Sequence, residues 1–202
     1  YYLGPYLLTK LLIPILLKNT PSRVVSLTSQ AHCGILENWK FNLKDIPPSI
    51  NNYEPERNHG LTKLCTTLCM NELTRQYGKD GLIGITCNPG ILHSTIDKED
   101  LMMISSITLT KTIQETAASV IYCCFSESIK GGCYYVNNQL TLLPKPATNG
   151  LYGVLLWELS EGLVSKYSVM PHGSPKRRRA SLSESTNSLI NTNSIIFEWQ
   201  KD

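Results

Sequence analysis

Apolar residues in the opening stretch YYLGPYLLTKLLIPILLK (1–18) recur at Leu7, Leu8, Leu11, Leu12, Ile15 and Leu16, the spacing of one helix face. Lys10 and Lys18 interrupt the run, and it is too short to cross a bilayer, so it predicts a helix buried against a sheet. Pro14 conflicts with the carbonyl four residues earlier and predicts a bend near Lys10. Val24, Val25 and Leu27 follow a proline turn and predict a short strand. Residues 30–57, with Pro47, Pro48, Pro55 and several asparagines, predict a long loop. Leu61, Leu64, Cys65, Leu68, Cys69 and Leu73 mark an amphipathic helix over 59–81, stopped by Gly78 and Gly81. The run LIGITCNPG (82–90) is nearly all apolar, as in a strand buried on both faces, and Asn88-Pro89-Gly90 ends it. A helix at about 111–127, a strand at GCYYVN (132–137) and a helix at about 150–167 complete the series.

Strands alternating with helices of this length imply crossover connections and a parallel sheet, hence an α/β fold with three strands. The pattern stops near residue 168. Ten of the fifteen residues from Ala180 to Ser194 are Ser, Thr or Asn, too little apolar surface to order a segment. Residues 1–168 therefore read as one domain and 169–202 as a disordered tail. The chain opens on Tyr1 with no charged segment or cleavage site before its apolar start, and reads as a piece of a longer one.

Composition changes this picture little. An apolar share of 42% supports a real core, and a net charge of +3 argues against a nucleic-acid coat or a membrane-surface binder. The seven cysteines include no CxxC. Cys65 and Cys69 share a helix face, and Cys123 and Cys124 are adjacent; small core residues in a reducing compartment fit better than a metal or redox site. The expected location is cytoplasmic.

Five features in order carry a resemblance: YYLGPYLLTKLL, SRVVSLTSQAH, a lysine early in the next helix, NPG after the next strand, and GGCYYVNNQ. Together they resemble the C-terminal half of the short-chain dehydrogenase/reductases, in the retinol-dehydrogenase-like branch. The YYVNNQ strand and the LYGVLLWELSEGLV helix favour the WW-domain-containing oxidoreductases within that branch. The resemblance covers residues 1 to about 168 and implies the C-terminal half of a Rossmann-type doubly wound sheet.

It also implies chemistry. In that family a hydride moves between a nicotinamide (NAD or NADP) and a carbonyl or alcohol carbon, such as that of a retinoid or steroid, while a tyrosine moves the proton. A lysine four residues later lowers the phenol pKa and holds the nicotinamide ribose. Ser29 matches the serine that hydrogen-bonds the substrate oxygen, with Thr28 beside it. Lys63 matches the lysine, Pro89 and Gly90 the turn against the nicotinamide, and Ser94, next to Thr95, a hydroxyl for the carboxamide. Taken alone, each residue also fits a plainer role: a strand-end cap, a solvated helix lysine, an ordinary turn.

Two departures stand out. His59 occupies the tyrosine position; imidazole has a reference pKa near 6.5 against about 10 for phenol, and its nitrogen stops short of where the phenol oxygen would reach. Tyr53 is no substitute, and Tyr1 falls where the family has a helix asparagine. No Gly-rich turn of the G-x-G-x-x-G or G-x-x-x-G-x-G kind occurs, so NAD or NADP is not expected to bind this piece well. The strand near 23–28 would then be left with a bare edge. The expectation is an inactive piece of an oxidoreductase. The alternative is a non-catalytic interaction protein, with protein partners or self-association, whose tail is phosphorylated at Ser181 behind Arg178 and Arg179. The basic run Lys176–Arg179 would carry nuclear import in that case.

Overall fold

The computed structural model describes residues 1–32, 41–48, 51, 53–91, 110–143 and 145–167. Ser94, Thr95, Ser181, Lys176–Arg179 and the tail over 169–202 lie outside the described residues.

Helix α1 (Leu3–Lys18) contains Pro14 within a single element. Strand β1 (Ser22–Leu27) follows, then α2 (Pro55–Tyr77), β2 (Leu82–Asn88), α3 (Ile113–Phe125), β3 (Cys133–Val136), β4 (Gln139–Thr141) and α4 (Gly150–Val164). Helix α2 begins four residues earlier than the apolar pattern predicts. Pro55 stands in its first turn, where a proline lacks nothing the helix needs and its φ is already helical. Thr112 and Glu115 form a reciprocal capping box at the start of α3, and the Asn149 side chain accepts from Leu151 N to cap α4.

The sheet order is β1-β2-β3-β4. Strands β1 and β2 are parallel, in register from Ser22↔Leu82 to Leu27↔Cys87, and β2 and β3 are parallel from Ile85↔Cys133 to Asn88↔Val136. The expected parallel α/β sheet is present, with a fourth strand added. Asn137 and Asn138, at φ 53° and 64°, turn the chain into a two-residue hairpin, so β4 pairs antiparallel with β3. The single strand read through Asn137 is therefore two. Asparagine tolerates this left-handed backbone better than most residues.

Side chains alternate across β2 and divide the core. Leu82 and Val24 of β1 join the larger cluster with α1, α2 and α4, in which Leu64, Leu73 and Leu156 are fully buried. Ile85 and Cys87 form a second cluster with Cys123 of α3 and Tyr135 of β3. Gly84 is required where α2 crosses β2: a Cβ there would lie 2.5 Å from the Met70 carbonyl oxygen. Helix α1 is tied to α4 through Tyr2 Oη to Ser160 Oγ (2.8 Å), Tyr6 Oη to Glu161 (2.8 Å) and an ion pair between Lys10 and Glu161.

The cysteines behave as core. The six described ones are free, and four are buried. Burial pushes the thiols of Cys69 and Cys87 up to about 12, which suppresses the reactive thiolate. Among the described residues no helix is long and apolar enough to cross a membrane.

Candidate active site

The carboxyl ends of β1 and β2 lie side by side, because the chain continues the pairing one residue past β1: Thr28 N donates to Cys87 O at 2.9 Å. Ligands of open α/β sheets bind at such ends. Four sequence-derived candidates, Ser29, Lys63, Pro89 and Gly90, sit here.

Lys63 projects from α2 onto β1. Its Nζ donates to the Leu27 carbonyl at 3.2 Å, and the Thr28 hydroxyl donates back to the Lys63 carbonyl at 3.3 Å. Thr67 Oγ1 donates to the same carbonyl at 3.1 Å. The two crossing bonds fix α2 to the strand end in both directions. Partial burial pulls the Lys63 pKa below the ordinary lysine value. Ser29 is two residues beyond Leu27. Its Oγ accepts from Ala31 N at 3.3 Å, which occupies a lone pair and leaves the hydroxyl proton available to an outside acceptor.

The turn after β2 is built on Asn88, whose Oδ1 accepts from Gly90 N at 3.0 Å. Gly90 has φ +92°, and a Cβ there would come within 2.8 Å of Lys111 Cδ. Lys111, which the sequence did not single out, lies across this turn. Its backbone N donates to Ile91 O at 2.8 Å and its Nζ to Ser119 Oγ at 3.4 Å. The approach of Lys111 to Gly90 spans about twenty residues of chain, and no local spacing signals it.

His59 stands on the same helix as Lys63. It is exposed, one helical turn before Lys63, and lines a cleft of about 490 Å³ between the starts of α1 and α2. Tyr1, Tyr2, Ile46, Pro47 and Tyr53 also line it, whereas Ser29 and Lys63 do not. Tyr53, which precedes α2, thus shares a cleft with His59. Ser94 lies outside the described residues.

Of the groups present, Lys63 supplies an ammonium at the strand end that suits a ribose hydroxyl, whereas the Cβ side of Gly90 is taken by the Lys111 stem. A pyrophosphate cradle is another matter: the sequence carries no Gly-rich turn, and β1 is an edge strand with no partner on its outer side among the described residues.

No protein-family model matches the chain. It is 33% identical over 173 residues to the WW domain-containing oxidoreductase of Gallus gallus, a match covering 81% of this chain and 42% of that protein. It is 28% identical over 172 residues to dehydrogenase/reductase SDR family member 13 of Homo sapiens, covering 80% and 45%. The chain thus spans less than half the length of these relatives. In fold it resembles the crystal structure of an uncharacterized protein from Mycobacterium paratuberculosis, with a TM-score of 0.52, 22% identity, and coverage of 71% of this chain and 50% of that one. On these likenesses and on its α/β order, the chain belongs to the short-chain dehydrogenase/reductase superfamily, an NAD(P)-using family of oxidoreductases.

Proposed function

We propose that this chain carries the nicotinamide- and substrate-facing half of a short-chain dehydrogenase/reductase site, in which Ser29, Lys63 and the Pro89-Gly90 turn keep their family roles and His59 stands in the tyrosine position. The observation that carries the reading is the pinning of Lys63 Nζ on the Leu27 carbonyl, beside Ser29 and next to the turn that follows β2.

In this reading the Ser29 hydroxyl donates to the oxygen of an alcohol or carbonyl substrate of the retinoid or steroid kind. Lys63 exchanges its bond to Leu27 O for the ribose hydroxyls, and the Pro89-Gly90 turn packs against the nicotinamide. The nicotinamide, when bound, accepts or supplies the hydride. The proton falls to His59. An imidazole is the commonest acid–base side chain, but a misplacement of about 1 Å costs on the order of a hundredfold in rate. With that handicap and no phosphate-binding turn, the 202 residues alone do not turn over substrate. Residues 1–168 form the enzyme-like domain and 169–202 a basic, serine-rich tail.

The test is NMR titration of the chain with nicotinamide mononucleotide at millimolar concentration, a probe that needs no dinucleotide cradle. Resonances of Ser29, Lys63 and Gly90 shift together if the reading holds. Shifts elsewhere, or none at these three, overturn it.

A second reading, a non-catalytic interaction protein that associates with itself or with other proteins, is favoured by His59 in the tyrosine position, Tyr1 in the asparagine position and the lack of a Gly-rich turn. Phosphate on Ser181 would then offset the charge of Lys176–Arg179 and alter location or partners. Turnover of an alcohol by a longer chain that carries a phosphate-binding turn together with the wild-type His59 ends this reading. A His59→Tyr change that is needed before any turnover appears supports it.

A further inference from the structure

His32 is absent from the site as built so far, yet it is fully buried three residues after Ser29. Its ring Nδ1 lies 2.5 Å from the Ser29 carbonyl oxygen, and its backbone N donates to the same oxygen at 3.3 Å. A carbonyl can only accept, so Nδ1 carries the proton. Burial lowers the ring's pKa below 6.5, opposed by the bond to Ser29, which leaves a neutral ring with its lone pair on Nε2. Nε2 has no hydrogen-bond partner among the described residues. The ring stands edge-on to Tyr134 of β3, centroids 5.1 Å apart at 85°.

A buried ring nitrogen without a partner costs stability, and an apolar side chain of the same size would avoid that cost. The ring is useful for its one bond. That bond closes the turn 29–32 on the Ser29 carbonyl, while Ala31 N, in the middle of the same turn, donates to Ser29 Oγ. The turn therefore holds the serine by both its backbone and its hydroxyl, and Tyr134 holds the turn's far end against the sheet.

We propose that His32 is a positioning residue: as the Nδ1–H tautomer it clamps the Ser29 carbonyl and so aims the Ser29 hydroxyl out over the carboxyl end of β1. This rests on the proposed role of Ser29 as donor to the substrate oxygen. The chain supplies its own aiming device for that hydroxyl, independent of any coenzyme.

The experiment is NMR on the 202-residue chain, wild type and three variants: His32→Asn, which keeps a donor near the Nδ1 position, His32→Phe, which keeps the bulk, and Ser29→Ala. In the wild type, the ring nitrogens show a pyrrole-type Nδ1 and a pyridine-type Nε2. The Ser29 carbonyl and Ala31 amide resonances move in the Phe variant and return toward their wild-type positions in the Asn variant. The opposite tautomer, or resonances that ignore the Phe change, overturns the proposal, and the wild-type tautomer reading stands even if the Phe variant does not fold. Ser29→Ala separates the two claims. If nicotinamide mononucleotide and an alcohol substrate bind Ser29→Ala and wild type alike while the His32 pattern is as stated, the clamp holds and the role of Ser29 falls. If Ser29→Ala loses substrate binding while the Phe change does nothing, Ser29 keeps its role and the clamp falls.

Discussion

The Lys63 ammonium and the Leu27 carbonyl oxygen are 3.2 Å apart, and the Thr28 hydroxyl returns a bond to the Lys63 carbonyl at 3.3 Å. The helix that bears the lysine is thus bonded to the end of the strand that leads to Ser29. Among the described residues the charge at the strand end is held by a single neutral acceptor.

Lys63→Met keeps the stem and removes the charge. Because the ammonium is near the surface with one bond to a neutral carbonyl, stability should change by less than about 1 kcal/mol in urea unfolding. The Gly90 and Ser29 shifts produced by nicotinamide mononucleotide should vanish. Retained shifts would mean that the ammonium does not face the nucleotide.

Gly90→Ala meets two penalties, a left-handed backbone at φ +92° and the Lys111 stem 2.8 Å from the new methyl. The expected loss is about 1–3 kcal/mol by urea unfolding. In a Lys111→Gly background the steric share should disappear and the backbone share remain. Equal losses in both backgrounds would mean that Lys111 does not press on the turn.

Gly84→Ala pushes a methyl to 2.5 Å from the Met70 oxygen and must separate α2 from β2. We expect a loss of at least about 2 kcal/mol, at the upper end of overpacking costs. Lys63 rides on α2, so the Lys63-to-Leu27 contact should weaken too, visible as faster amide exchange around Thr28. A variant as stable as the wild type would contradict the packing described.

His32 makes stability depend on pH with a definite sign. Its folded pKa is below the ordinary value of 6.5, so the unfolded chain binds more protons in this window. The contribution is complete above about pH 6.5 and is lost as pH falls toward the folded pKa. Urea midpoints from pH 7.5 down to about 5 should fall in the wild type and fall less in His32→Asn. A slope identical in both proteins would assign the effect to other groups.

Much of the sheet is legible in the chain. The apolar run of β2 and the helical spacing of α2 owe their clarity to burial against several partners, which leaves little room for polar residues. Legibility fails where a residue's role depends on distant chain. Pro55 looks like a break and is a helix start. The exposed strand β4 has no periodicity to read, only the two asparagines that turn into it. Ser29, Lys63 and the 89–90 turn could be marked by order and type alone. His32 and Lys111 could not, because the first owes its part to burial beside Tyr134 of β3 and the second to a crossing over Gly90.

The two borders of the sheet are unequal. On one side the three-residue β4 folds back on β3 and offers only a short edge. On the other, Ser22–Leu27 offers six residues of backbone whose outward groups have no strand to meet among those described. A segment laid along that border would satisfy those outward groups and shield an edge that otherwise invites self-association.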